Sequence, residues 1–192
     1  MVNKRRWEIT GVEMETIFYS SFDSSFLKKV FVASTDRGVC MVDFLTSEKA
    51  FLKRLKERFH GKIIKDNRRN REALSQLRKY LKGELRHFDC PLDVEGTSFE
   101  RKVWSKLIKI PYGQTRSYKE IAEAIGHPKA FRAVGNANGR NTLPLIIPCH
   151  RVIESNGGLG GFGHGLKVKE QLLKFEKDQE SLRTQRGIVA TK

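Results

Sequence analysis

Cys149 and His150, adjacent in the run Leu145-Ile146-Ile147-Pro148-Cys149-His150-Arg151-Val152, are the residues of this chain best suited to chemistry. A thiolate is a strong nucleophile, and a neighbouring imidazole is a base that makes it available near neutral pH. Pro148 removes one backbone donor and biases Ile147 towards extended geometry. The run therefore predicts a strand-like approach that ends in a sharp change of direction. Cys149 would be held there rigidly and half exposed. The same residues also fit a small hydrophobe packed in a core, the usual fate of a free cysteine.

A carboxylate is the third group such a site uses, because it orients the imidazole. The last helical stretch, about Leu166–Lys177, places Leu172, Leu173 and Glu176 on neighbouring positions of one face. Lys169 shares that face. A carboxylate among apolar neighbours needs a partner. Two readings are open: a salt bridge to Lys169 or an arginine, or orientation of His150.

Positioning these groups falls to a chain that divides in two. Residues 1–90 predict an α+β domain, with β-rich texture up to 45. Leu27–Ala33 and Val39–Phe44 are strand candidates around a turn at Asp36-Arg37-Gly38, and Cys40 is a packed strand residue. Ser47 is placed to cap a helix carrying Phe51, Leu55 and Phe59 on one face, stopped by Gly61. Ile63-Ile64 is a short strand candidate, followed by a solvated loop at Lys65–Arg71. A second amphipathic helix carries Leu74, Leu77 and Leu81 and ends at Gly83. Nothing in this half has a chemical signature. Phe88–Glu95, with Pro91 inside, is the expected linker.

Residues 91–178 are helical in texture. Thr97-Ser98-Phe99-Glu100 is a capping box that opens a helix with Phe99, Val103, Trp104, Leu107 and Ile108 inward. Ser117-Tyr118-Lys119-Glu120 is a second capping box, with Ile121, Ala122 and Ile125 behind it. Gly126 stops that helix and Pro128 is expected to start the next. Ser117–Ala137 thus has the helix, short turn, helix pattern of a helix-turn-helix, which serves either DNA binding or core scaffolding. The second helix of the pair is rich in small residues, which permit close backbone approach, and Arg132 projects from among them. Asn138–Thr142 is a polar turn. Gly158, Gly160 and Gly163 formally match a dinucleotide-binding G-x-G-x-x-G, but so Gly-rich a stretch matches cheaply. The chain also ends too soon for the acidic residue that such a site requires. A flexible loop over a pocket fits better. Residues 179–192 are polar and are expected to be a disordered tail.

Lys plus Arg number 37 against 22 Asp plus Glu, for a net charge of +15. The surplus favours polyanionic partners, nucleic acid above all. It is spread over both halves and marks no single site; a merely solubilising or heat-adapted surface has the same composition. Three cysteines (Cys40, Cys90, Cys149) make neither a disulfide framework nor a metal-ligand spacing. Lys4-Arg5-Arg6-Trp7 is basic, but no apolar segment follows, so no signal peptide is expected. No apolar run approaches membrane-spanning length. A reducing intracellular compartment is the expectation.

Together these features resemble the O6-alkylguanine-DNA alkyltransferase family over roughly Gly96–Glu176. Pro148-Cys149-His150-Arg151-Val152 resembles its active-site signature. Ser117-Tyr118 and Pro128-Lys129-Ala130-Phe131-Arg132-Ala133-Val134 resemble its DNA-binding unit, and Leu166–Leu173 with Glu176 its closing helix. The resemblance implies an α+β fold, in which a ribonuclease H-like N-terminal domain precedes a mostly helical helix-turn-helix, winged-helix-like domain. It implies irreversible, single-turnover transfer of an alkyl group from O6-alkylguanine in double-stranded DNA to Cys149, with O4-alkylthymine as a further candidate lesion.

In that scheme His150 takes the thiol proton through a water, Glu176 orients His150, and Tyr118 protonates the leaving guanine. Arg132 fills the gap left by the extruded nucleotide, and Ala130, Ala133, Gly135 and Ser117 contact DNA in the minor groove. Asn141 braces the turn before the active site, and Val152, Phe162, Gly163 and Asn141 form the alkylguanine pocket. No cofactor or metal is expected, nor membrane contact; the chain is expected to be a monomer in the cytoplasm, nucleoid-associated in a prokaryote. Phe162 replaces a tyrosine common in the family. His164 stands where glycine is common, which bears on how bulky an alkyl group fits. Two rival readings are a non-reacting lesion sensor, which lacks the cysteine, and a thiol hydrolase using Cys149, His150 and Glu176.

Overall fold

A computed structural model describes residues 15–185 and 187. The basic start at Lys4–Trp7 and the final residues 188–192 lie outside the described residues.

The first half is a four-stranded sheet flanked by helices. Strands β1 (Thr16–Ser24), β2 (Lys28–Ser34) and β3 (Val39–Phe44) form an antiparallel meander, and β4 (Lys62–Lys65) adds parallel to β1, giving the order β3-β2-β1-β4. Helix α1 (Glu48–Arg58) starts where Ser47 accepts a hydrogen bond from the Ala50 amide and buries Phe51 and Leu55. Helix α2 (Arg71–Leu81) buries Leu74, Leu77 and Tyr80. Most of Lys65–Arg71 is exposed, as its composition predicts, although Lys65 ends β4 and Arg71 opens α2. Asn70 is buried and donates to the Phe18 carbonyl at 3.0 Å, tying the start of α2 to β1.

The second half is helical. Helix α3 (Ser98–Leu107) and helix α4 (Tyr118–Ala124) both open on the expected capping boxes, each worth about 1 kcal/mol in satisfied backbone donors. Gly126, at φ +78°, makes the turn out of α4. Helix α5 (Phe131–Gly139) begins at Phe131 rather than Pro128, because Pro128–Ala130 are used in the turn, where the Ala130 amide donates to His127. Trp104 of α3 donates its indole N–H to the Ala137 carbonyl at 2.9 Å and pins α5. Strands β5 (Arg116–Ser117) and β6 (Val152–Ile153) pair in parallel beside the helices. Helix α6 (Leu166–Gln185) continues eight residues past Lys177, so the tail is ordered helix to Gln185. Arg86, paired with Glu180 at 2.9 Å, anchors that extension.

The expected linker is a docked strap. Val39 donates to the Pro91 carbonyl at 2.8 Å and Asp93 donates back to the Val39 carbonyl at 2.9 Å, so this segment lies along the edge of β3. Buried Asp93 also accepts from Thr35 at 2.7 Å and pairs with Arg37. One apolar cluster runs from Phe22, Val30 and Phe44 of the sheet through Tyr80 to Val103, Leu143 and Leu172. The two halves therefore share a core. Among the described residues, no helix is long and apolar enough to cross a membrane.

Candidate active site

The approach to Cys149 is a knot of turns, not a strand. Leu145 has φ +74°, the Ile147 amide donates to the Leu143 carbonyl at 2.8 Å, and neither Pro144 nor Pro148 can donate. Asn141 replaces the missing ladder. Its Oδ1 accepts from the Leu143 amide at 2.9 Å and its Nδ2 donates to the Ile147 carbonyl at 2.8 Å. Pro148 (φ −80°, ψ 64°) then centres an inverse γ-turn, closed by the Cys149 amide on the Ile147 carbonyl. Cys149–Arg151 form one turn of 3₁₀ helix. Every residue from Leu143 to Val152 is buried, which explains why the apolar run resembles a strand in the sequence.

Cys149 is buried, not half exposed, at 7% accessibility, and forms part of the wall of a cavity of about 710 Å³. Tyr118, Arg132, Gly135, Gly160 and Phe162 are other parts of that wall. Burial pushes the Cys149 thiol up. Against that act the Asn141 amide, 3.2 Å from Sγ, the charge of Lys169, and the backbone N–H groups of Cys149 and His150. Those groups lie ready for the thiolate, which a neighbouring base must first create.

His150 is wholly buried. Its Nε2 lies 2.9 Å from Glu176 Oε1, and its Nδ1 has no partner among the described residues. A carboxylate on one nitrogen places the proton there and leaves the other as a free acceptor. Burial lowers the His150 pKa, which keeps the ring neutral at physiological pH; the Glu176 charge opposes this only partly.

Glu176 does more than either sequence reading foresees. Its Oε1 faces His150 Nε2, Arg151 Nη2 at 2.8 Å and the Tyr80 hydroxyl at 2.6 Å. Its Oε2 accepts from Arg151 Nε at 2.9 Å and the Gly113 amide at 3.1 Å. Burial alone would raise this carboxyl. The His150 and Arg151 hydrogen bonds and the permanent Arg151 charge outweigh it and hold the carboxyl well below the usual range. Lys169 is not its partner. That ammonium, also fully buried, donates to the carbonyls of Val152, Leu159 and Gly161, and so ties α6 to β6 and the Gly-rich loop. Burial lowers its pKa to about 8.

Tyr118, at the start of α4, donates to the Gly161 carbonyl at 3.4 Å, and burial raises its phenol. Gly160 lies against its ring at φ +64°, where a Cβ would come within 2.7 Å of the ring, so the loop is shaped to Tyr118. On α5, Arg132 and Ala133 are exposed, Gly135 faces the cavity, and Ala130 is half-buried beside them. Ser117 caps α4. Phe162 and Gly163 line the cavity. Val152 and Asn141 do not, for Val152 is fully buried behind the 3₁₀ turn and Asn141 braces Cys149 from beneath. His164 also stays out of the cavity: it stacks on Phe44 with ring centroids 3.9 Å apart.

Sequence reasoning missed three residues. Tyr80 and Arg151 lie inside ordinary helical and motif contexts, and only the fold brings them to Glu176. Asn138 lines the cavity beside Tyr118 with both amide atoms buried; its polar side chain in a helix of small residues was the available signal.

Residues 98–178 match the DNA-binding domain of 6-O-methylguanine DNA methyltransferase, and residues 17–94 match its ribonuclease-like domain. The chain belongs to the 6-O-methylguanine DNA methyltransferase family. This family member is 43% identical over 162 residues to the methylated-DNA–protein-cysteine methyltransferase of Methanosarcina barkeri, over 84% of this chain and 98% of that one. It is 56% identical over 108 residues to that of Mycobacterium leprae, over 56% of this chain and 66% of the relative. Among solved structures it is similar to Mycobacterium tuberculosis OGT in complex with DNA, with TM-score 0.73 and 40% identity over 84% of this chain and 94% of that one.

Proposed function

We propose that the protein repairs DNA directly, transferring the alkyl group of O6-alkylguanine in double-stranded DNA irreversibly to Cys149. One observation carries this reading. A cysteine with a hydrogen-bond donor on its sulfur forms part of a cavity roomy enough for a base, which opens beside a small-residue helix bearing an exposed arginine.

The chemistry follows from the site. A guanine inside a duplex cannot reach Cys149, so the nucleotide turns out into the cavity and Arg132 takes its place in the stack. Ala130, Ala133 and Gly135 let α5 approach the minor groove, and Ser117 holds the start of α4 against the backbone. Phe162 and Gly163 wall the extruded base. A water at the vacant acceptor His150 Nδ1 relays the thiol proton to the imidazole. Sulfur then attacks the sp³ alkyl carbon, the bond from that carbon to O6 breaks, and its electron pair stays on guanine. Tyr118, protonated at neutral pH, donates its phenolic proton to the leaving base. The product is a thioether, which no step at this site reverses, so each molecule acts once. The protein acts as a monomer in the cytoplasm.

Incubation with a duplex carrying one O6-methylguanine, followed by intact mass and peptide mapping, tests the reading. One methyl group on Cys149 and unmodified guanine in the DNA are expected. Binding without a mass change marks a lesion sensor, and repeated turnover of an acyl substrate marks a hydrolase; either result overturns the proposal.

A further inference from the structure

We propose that Tyr80, a residue of the first domain, is a positioning residue for alkyl transfer, its hydroxyl sharing Glu176 Oε1 with His150. The inference rests on the proposed alkyl-transfer reading and assigns part of its proton chemistry to a domain without a chemical signature of its own. Tyr80 is fully exposed to the core and not at all to solvent. Its ring packs against Phe88, Tyr112 and Phe175 at centroid distances of 5.4, 5.9 and 6.4 Å. A phenylalanine would fill that space without a hydroxyl to desolvate. The hydroxyl is therefore accounted for by what it touches: Glu176 Oε1 at 2.6 Å, with His150 Nε2 at 3.5 Å.

The consequence is electrostatic. Charged and titratable groups face this cluster from several elements: Arg151 from the 3₁₀ turn, and Glu176 and Lys169 from α6. Tyr112, under the Arg86 guanidinium, faces it from the segment after α3. Among them Tyr80 is the neutral donor on the oxygen that His150 also uses. Donation from Tyr80 draws negative charge from Oε1 and weakens its pull on the imidazole proton. Burial and the Glu176 charge both keep the Tyr80 phenol protonated. His150 is then held as the Nε2–H tautomer without being made strongly basic, and Nδ1 keeps its lone pair free to accept a proton. Removing the hydroxyl strengthens the attraction between Glu176 and a protonated His150. The imidazolium persists to higher pH, and a protonated His150 cannot accept the thiol proton.

Tyr80→Phe keeps the ring and tests this. A hydrogen bond to a charged group sets the scale, so the variant is expected to lose about tenfold in alkyl-transfer rate on the acid side of the profile while matching the wild type at alkaline pH. The same displacement is expected in the pH dependence of Cys149 alkylation by iodoacetamide, which needs no DNA. An unmoved pH profile with only a lower Tm makes Tyr80 a packing residue and overturns the inference. In the unsubstituted protein, 15N NMR of His150 is expected to report the Nε2–H tautomer, and an Nδ1–H tautomer overturns the inference even if the variant does not fold. If the wild type takes no alkyl group from DNA yet Tyr80→Phe moves the iodoacetamide profile, the repair reading fails and the role of Tyr80 stands.

Discussion

Arg151 and Glu176 form a bidentate ion pair shut away from solvent, with Nη2 2.8 Å from Oε1 and Nε 2.9 Å from Oε2. His150 uses the same carboxylate, so one acid serves both the fold and the base. Glu176→Gln is therefore expected to act twice. Loss of the charge beside His150 lowers alkyl transfer by about tenfold or more, the lower end of general-base assistance. Loss of the partner also strands the Arg151 guanidinium, and breaking such a buried pair costs about 3–5 kcal/mol. Adding Arg151→Met to Glu176→Gln is expected to recover much of the Tm and none of the rate. Recovery of both would mean that Glu176 matters only as a counter-ion. Rates on an O6-methylguanine duplex and thermal melts of the wild type and the two variants check this.

The same pair fixes an acid limit to stability. Glu176 has a folded pKa well below its unfolded value, so its contribution is present above the ordinary carboxylate pKa and disappears as pH falls towards the folded one. His150 acts in the same direction. Its folded pKa is depressed by burial, so protonating it in acid favours the unfolded chain. Urea midpoints measured from pH 8 downward are expected to hold through neutrality and to begin falling below the ordinary histidine pKa. In Glu176→Gln the later part of that fall, through the carboxylate range, is expected to shrink. An identical acid profile in the variant would show that other carboxylates set the limit.

Cys149 is expected to be the sole alkyl acceptor. Burial pushes the Cys40 thiol up to about 12 and the Cys90 thiol up to about 11, and neither lines the cavity. Cys149 is buried too, but it has Asn141 Nδ2 on its sulfur. Asn141→Ala removes that donor and the two backbone braces of the turn, so a loss of at least tenfold in transfer rate is expected, on the scale of a charge-assisted hydrogen bond. Peptide mapping reads the site and quench-flow the rate. Methyl found on Cys40 or Cys90 would contradict this.

Much of this molecule is legible from local signals. Both capping boxes, the α1 and α2 faces and the break at Gly126 are decided within a few residues, and all are present. Cys149, His150 and Glu176 are adjacent in sequence or share a helix face with apolar residues, so they too are visible. What the sequence hides depends on distant packing. Leu143–Ile147 is apolar throughout, so periodicity cannot separate a strand from a buried knot held by Asn141. Tyr80 lies 96 positions from Glu176, and its helix has the same pattern whether its hydroxyl meets a carboxylate or nothing. The tail looks frayed because its residues are polar, yet Arg86 and the continuing α6 hold it as far as Gln185.

Arg132 is exposed on α5 at the mouth of the cavity, with its guanidinium 5.9 Å from the centre of the Phe131 ring. Arg132→Ala is expected to slow repair of duplex DNA strongly while leaving reaction with free O6-benzylguanine within about twofold, because a free base needs no extrusion. If Arg132 also meets a phosphate, the salt slope of duplex binding falls by about one. Equal slowing of both reactions would place the damage in the active site or the fold.

His164 gives the last prediction. From sequence alone a side chain at this point of the Gly-rich loop threatens to narrow the alkyl pocket. In the fold it turns the other way: its ring stacks on Phe44 and its Nε2 lies 3.0 Å from Asp43 Oδ1, a carboxylate that also pairs with Arg54. The loop is thereby fastened to β3 of the first domain, and the cavity wall is made by Phe162 and Gly163 instead. His164→Gly is therefore expected to bring no gain for bulky groups. The ratio of benzyl to methyl transfer rates should stay at or below the wild-type value, because nothing is removed from the wall and the loop is loosened. Stability should fall by about 1 kcal/mol, the scale of one aromatic pair with a partly exposed hydrogen bond. A variant that selectively accelerates benzyl transfer would show that His164 enters the cavity during the reaction. Single-turnover rates on the two substrates, with a thermal melt of the same preparation, decide between these outcomes.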